Sequence, residues 1–242
     1  MKHAFITGGG SGIGLAVAHA LAGAGWRVTL AGRNRARLES AARAIKGAEI
    51  AVVDVTDAEA VTAAIREVDL LVNNAGGAVS APFEKTSMEV WRESLDLNLM
   101  GTVHCIRAAL PHMKAEGWGR IVNIASTAGL IGYRYVTPYV AAKHAVVGLT
   151  RALALEVAKT GVTVNAVCPG YTDTELVSGA VATIAKATGR SADDALKTFT
   201  ASNPQGRLVK PEEVAAAVVW LASDAAAAVN GIALPIAGGE VS

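Results

Sequence analysis

Cysteine is almost absent: Cys105 and Cys168 are the only two in 242 residues, they lie in separate apolar segments, and neither belongs to a CxxC pair. A disulfide scaffold is thereby excluded, and the two thiols read as reduced core residues of a cytoplasmic protein. Charge is also scarce. Asp, Glu, Lys and Arg together make 18% of the chain, the formal net charge is +1, and no block of like charges forms a tail. Such a surface has no field for gripping nucleic acid or an anionic membrane. No apolar run reaches the roughly 18 residues of a membrane span. The opening MKHAFITGGG meets glycine too soon for the apolar region of a signal peptide. His3, His19, His104 and His112 show no ligand spacing, so no metal site is expected. No serine sits in a G-x-S-x-G elbow, which leaves an α/β-hydrolase reading without support.

What is present is apolar: 52% of residues are hydrophobic, enough to fill a large core. Short β-branched runs alternate with Ala-rich helical stretches from end to end. Seven strand candidates stand at 3–7, 26–31, 50–55, 68–76, 119–126, 161–170 and 230–239. They are apolar without alternation, as strands are when helices cover both faces of a parallel sheet. The pattern predicts one doubly wound α/β domain over 1–242, a seven-stranded parallel sheet with helices on both faces. Two long helices are expected at about 88–113 and 138–159. Residues 171–207 separate the sixth strand from the last helix without a strand of their own, and an insertion at that edge of the sheet is expected to act as a substrate lid.

TGGGSGIG (7–14) follows the first strand and opens the first helix. Gly8, Gly12 and Gly14 allow a sharp turn and let a pyrophosphate approach the backbone N–H groups at the helix start, with Ser11 and Ile13 between them. No Lys-Ser or Lys-Thr pair follows, which disfavours a Walker-type triphosphatase. An acid about 20 residues further on usually holds the adenosine ribose 2′-OH. Here that place is taken by Gly32 and Arg33, with Arg35 and Arg37 close behind. A guanidinium without an acid suits a 2′-phosphate, so NADP(H) is expected in preference to NAD(H). Arg33 is assigned to the phosphate, and Arg35 and Arg37 to a solvated helix start. Asp54, in DVTD, could accept from the adenine amino group or cap a helix; Asp57 is the better cap.

TPYVAAKHAVVG (137–148) carries Tyr139 and Lys143 four residues apart, one turn of a helix, so the two side chains stand one above the other. Reduction of a carbonyl needs a proton delivered to the oxygen as negative charge develops there. A free phenol, with a pKa of about 10, holds its proton too tightly for that, and an ammonium one turn away is expected to lower it. His144 is about 140° round the helix from Tyr139 and drops out.

Taken in order, TGGGSGIG, NNAG (73–76), the Asn98 of DLNLMG, Ser126, YVAAK (139–143) and PGYTDT (169–174) resemble the short-chain dehydrogenase/reductase family in its shorter form, nearly end to end. The resemblance implies a Rossmann-type fold and a catalytic group of Asn98, Ser126, Tyr139 and Lys143. Ser126 would grip the substrate oxygen, Lys143 would also hold the nicotinamide ribose, and Asn98 would order a proton-relay water. It further implies cofactor contacts at Asp54 and Val55, at Asn74, Ala75 and Gly76, and at Pro169, Gly170, Thr172 and Thr174, with NNAG stabilising the central sheet and its Asn73 and Gly76 beside the cofactor's adenosine side. Two departures are a short helix before DLLVNNAG and AGG (237–239) in place of the common DGG. The expected function is hydride transfer between NADP(H) and a small-molecule carbonyl, foremost a 3-oxoacyl thioester. Alternatives are a dehydrogenase of a small or cyclic secondary alcohol and, outside enzymes, a dinucleotide-sensing regulator. Apolar residues on several faces of the two long helices, with the family habit, point to a homotetramer.

In the lid, the apolar stripe 177, 180, 181 and 184 could face substrate or core; Lys186, Arg190, Lys197 and Arg207 could meet a coenzyme A or carrier-protein phosphate but read first as a solvated charged face.

Overall fold

The computed structural model describes residues 1–241. Seven parallel strands form one sheet, β1 (His3–Thr7), β2 (Arg27–Gly32), β3 (Glu49–Val52), β4 (Leu70–Asn73), β5 (Gly119–Ile124), β6 (Val162–Pro169) and β7 (Ala233–Ile236), in the order β3-β2-β1-β4-β5-β6-β7. The helices between them are α1 (Gly12–Gly23), α2 (Arg35–Arg43), α3 (Ala58–Ala64), α4 (Met88–Leu95), α5 (Gly101–Ala115), α6 (Thr137–Val157), α7 (Glu175–Thr188), α8 (Ala192–Thr200) and α9 (Pro211–Ala222). None of the described helices is long and apolar enough to cross a membrane.

The sheet is apolar on both faces because both are covered. Along β1, Ala4 and Ile6 join Val17, Leu21 and Leu38 of α1 and α2, together with Val214 and Val218 of α9. Phe5, pointing the other way, joins Val61 of α3, Met113 of α5 and Val157 of α6. The two-residue alternation of a strand thus feeds two separate cores. Strand order reverses between β1 and β4, which opens a crevice at the C-terminal ends of the strands. The loops after β1, β4, β5 and β6 all converge there.

Strand ends differ from the sequence expectation by a few residues. β3 stops at Val52 because Asp54 folds its carboxylate back onto Thr56 and turns the chain. The helix expected at 88–113 is broken: α4 runs into a π-turn over Asp96–Met100 before α5 begins. α3 spans only seven residues, in keeping with the short segment noted in the sequence.

Candidate active site

The glycine loop is stitched to the strand beside it. Thr7 Oγ1 accepts from the backbone N–H groups of Asn74 and Ala75, both at 2.9 Å, while Asn74 Nδ2 donates to the Thr7 and Gly8 carbonyls at 3.0 and 3.2 Å. Gly8 and Gly12 adopt positive φ, +63° and +52°. A side chain at Gly14 would run into the Gly8 carbonyl, so α1 can lie this close to β1 only with glycine there. Asn73 Nδ2 donates to Asn123 Oδ1 at 2.9 Å, and Asn123 in turn to Thr150 at 2.9 Å, a buried chain joining β4, β5 and α6.

A cavity of about 240 Å³ opens over this loop, lined among others by Gly8, Ser11, Arg33, Arg37, Asp54 and Gly76. Val55 and Ala75 line it as well. Ile13 instead packs toward the core, and Gly14 is buried behind the loop. The cavity has the make-up of an adenosine-phosphate cradle: bare backbone at one end, guanidinium and carboxylate at the other. Arg33 Nη1 lies 3.7 Å from Asp54 Oδ2. Asp54 Oδ1 accepts from Thr56 N and Oγ1, and these bonds with Arg33 hold its carboxyl below the usual range. Capping of α3 falls to Asp57, which accepts from Glu59 and Ala60. Arg35 pairs with Glu39 on the outer face of α2. Arg37 is exposed at the start of α2, as expected of a solvated helix start, and it also lines the cavity and pairs with Glu175 at the start of α7, at 3.1 Å. Asn34, which caps α2, and Leu38 also line the cavity; only their position beside a phosphate loop could have flagged them.

Asn98, Ser126, Tyr139 and Lys143 come together at the C-terminal ends of β4 and β5. Lys143 is 4% exposed, and its Nζ donates to the Ile124 carbonyl at 2.8 Å and lies 5.5 Å from the centre of the Tyr139 ring. Burial pulls its pKa down to about 8. A Cβ built on Gly76 would stand 2.7 Å from Asn98 Oδ1 and 3.5 Å from Lys143 Nζ, which places amide and ammonium around one glycine. Asn98 is fixed by the π-turn: its Nδ2 donates to Gly77 O and Ser94 O, both at 2.9 Å, and its Oδ1 accepts from Gly77 N at 3.1 Å.

Burial pushes the Tyr139 phenol above its ordinary value, opposed by a hydrogen bond with Ser126. The acidification expected from Lys143 does not appear in this geometry: desolvation dominates, Ser126 is the one neighbour that favours the phenolate, and Tyr171 and Cys168 oppose it. Ser126 Oγ also accepts from Ala128 N at 3.1 Å, so the serine caps its own turn while facing the tyrosine. His144 is exposed and bonded to the Val140 carbonyl, away from the group.

After β6, Thr172 Oγ1 donates to Gly170 O at 3.0 Å, and Thr174 Oγ1 to Thr172 O at 3.3 Å. The Thr174 methyl would lie 3.1 Å from a Cβ on Gly12, so the start of α7 rests on the phosphate loop. Within 171–207, Val177 is buried, while Lys197 pairs with Asp194 and Arg207 bonds Glu213 through both nitrogens. Lys186 and Arg190 are exposed. Three aromatic rings missed in the sequence line up beside the Ser126–Tyr139 pair: Tyr133 meets Tyr171 edge to face at 5.9 Å, and Tyr171 meets Phe199 of α8 at 4.9 Å.

A parallel sheet with a glycine-lined crevice at its switch point, and a Ser-Tyr-Lys-Asn cluster beside it, defines the class of nicotinamide-dependent oxidoreductases. The family model for short chain dehydrogenases matches residues 2–185, and the chain belongs to that family. A D-beta-hydroxybutyrate dehydrogenase of Cupriavidus necator is 39% identical, over 100% of this chain and 98% of that protein. A cis-4-hydroxycyclohexanecarboxylate dehydrogenase of Sinomonas cyclohexanicum is 40% identical, over 98% and 95%. Among solved structures, a single-residue variant of actinorhodin polyketide ketoreductase with NADPH superposes with a TM-score of 0.94 at 37% identity, covering 99% of this chain and 97% of that one.

Proposed function

We propose that the chain reduces 3-oxoacyl thioesters with NADPH. The observation that carries the reading is the convergence of Ser126, Tyr139, Lys143 and Asn98 beside the glycine-lined cavity. Tyr139 donates its proton to the substrate oxygen, and Ser126 Oγ hydrogen-bonds that oxygen as charge builds on it. A phenol that burial keeps protonated is the right resting state for reduction. Lys143, near 8, exchanges its proton at neutral pH and returns one to the tyrosine, with Asn98 positioned to order the water between. NADPH, when bound, supplies the hydride. The loop Gly8, Ser11, Gly12, Ile13 and Gly14 would hold its pyrophosphate. Asp54, Val55, Asn74, Ala75 and Gly76 would line the adenosine side, Lys143 would take the nicotinamide ribose, and Pro169, Gly170, Thr172 and Thr174 the carboxamide. Arg33 and Arg37 at the cavity mouth, with no acid ending β2, support the 2′-phosphate. The NADPH carried by the actinorhodin ketoreductase agrees with this.

Steady-state assays on 3-oxoacyl thioesters and cyclic ketones with both cofactors test the proposal. Tyr139→Phe should lose at least about a thousandfold in turnover while still binding cofactor. A variant that keeps its turnover removes Tyr139 from the proton-donor role, whereas a parent chain that turns over nothing with either cofactor favours a regulatory dinucleotide sensor. A second reading, reduction of a cyclic ketone, is favoured by the aromatic row Tyr133, Tyr171 and Phe199. We further propose a cytoplasmic homotetramer formed through α5 and α6, on whose surface Leu155 is 81% exposed; light scattering gives the subunit number.

A further inference from the structure

One carboxylate on the substrate side has no part in the chemistry above. Glu240, just beyond β7, accepts from the Tyr133 hydroxyl at 2.6 Å. That phenol has a single proton and the carboxylate takes it, so Thr127 Oγ1, 2.7 Å from the same oxygen, must be the donor to Tyr133. The second Glu240 oxygen covers Gly170: a Cβ built there would lie 2.8 Å from it. Thr127 directly follows Ser126, and Gly170 is followed by Tyr171, whose ring meets that of Tyr133. Glu240 therefore stands between the turn that carries the serine and the segment that leaves β6, at the end of the aromatic row. Burial raises the pKa of both Tyr133 and Tyr171, and the Glu240 charge adds to it in each. Among the described residues no lysine or arginine forms an ion pair with Glu240. Lys143, the cation of the catalytic group, is engaged by the Ile124 carbonyl.

We propose that Glu240 is a specificity-determining residue, which reserves the site for carbonyl compounds neutral around the reacting carbon, such as thioesters, esters and ring ketones, and turns away free 3-oxo acids. The proposal rests on the oxidoreductase reading of Ser126 and Tyr139. A free 3-oxo acid carries its carboxylate two carbons from the ketone, and on this proposal the ketone at Tyr139 directs that charge along the Tyr171–Tyr133 wall that ends at Glu240. In a partly dry site two like charges repel, and among the described residues no arginine or lysine pairs with Glu240 to offset its charge, the Lys143 ammonium being held by the Ile124 carbonyl. A thioester or ester of the same skeleton meets the Tyr133–Tyr171 wall without that cost.

The test compares kcat/KM for ethyl acetoacetate and acetoacetate with NADPH, in the full chain and in Glu240→Gln and Tyr133→Phe. The parent chain should prefer the ester by at least about tenfold, and Glu240→Gln should shrink that ratio by about tenfold, since the amide still accepts from Tyr133 but carries no charge. Tyr133→Phe removes the hydrogen bond and leaves the charge, so it should keep the preference for the ester. Equal use of acid and ester by the parent chain overturns the charge rule alone, and so does an unchanged ratio in Glu240→Gln or a ratio lost equally in Tyr133→Phe. Failure of the parent chain to reduce either compound, or any other ketone, overturns the oxidoreductase reading and this proposal with it.

Discussion

Tyr139 and Lys143 are stacked by the helix they share, yet burial acts on them in opposite directions, raising the phenol and lowering the ammonium to about 8. Both shifts favour the neutral forms, but the phenol is neutral near pH 7 whether folded or unfolded, so the standing electrostatic cost falls on Lys143. Lys143 makes the cost measurable. Its native pKa lies below the ordinary 10.5, so the unfolded chain binds the extra proton between about 8 and 10.5 and stability rises with pH across that window. Below about 8 the whole penalty, on the order of 3 kcal/mol, is present. Lys143→Met should therefore abolish turnover and yet stabilise the fold, by about 2 kcal/mol once the unpaired Ile124 carbonyl is deducted. In thermal unfolding at pH 7 that is an increase in Tm of about 4–8 °C; a decrease would mean that the ammonium is a net stabiliser. In catalysis, kcat/KM for reduction should fall above about pH 8 as the ammonium is lost. The pair was legible in the sequence because i and i+4 on a helix fix a juxtaposition. Glu240 was not, because its partner Tyr133 lies 107 positions away and only the folded sheet brings β7 beside β6, which lies next to β5.

At the scale of elements, the break between α4 and α5 shows where pattern reading stops. The apolar spacing over 88–113 suits a continuous helix, but one extra residue per turn at Asp96–Met100 swings Asn98 inward. Nothing in local composition marks that insertion; it is maintained by the three bonds from Asn98 to Ser94 and Gly77. Asn98→Ala should let the segment relax into an ordinary helix, with a loss of about 2–3 kcal/mol from buried groups left unpaired. Urea unfolding would register it as a lower midpoint with unchanged slope, and turnover should fall at least about tenfold through the displaced relay. A normal midpoint with full turnover would show that the π-turn does not depend on this side chain. The glycine loop is the opposite case. Its residue types follow from backbone geometry alone, since positive φ at Gly8 and Gly12 and the close approach at Gly14 leave no other choice.

Across the whole molecule, the cavity over the glycine loop and the helices beyond β6 are mechanically linked. Arg37 reaches from the cavity to Glu175, Thr174 rests on Gly12, Thr172 pairs with Val209, and Tyr171 packs on Phe199. Anything seated in the cavity should therefore steady α7 and α8 as well. A ligand at a hundred times its Kd adds about 2.7 kcal/mol to a fold that does not bind it when unfolded. For a chain of this size that corresponds to about 5–10 °C in Tm. NADPH should give a shift of this size, and NADH a smaller one at equal concentration, because Arg33 and Arg37 have no 2′-phosphate to meet in it. NADPH should also slow proteolysis within 175–200. The double substitution Arg33→Ala and Arg37→Ala should level the two thermal shifts, and it should weaken the protection of α7 even when NADPH saturates the cavity, since the bond to Glu175 goes with it. Equal shifts in the parent chain would remove the argument for NADP, whereas protection that survives in the double variant would mean that Thr174 on Gly12 suffices to couple the two regions.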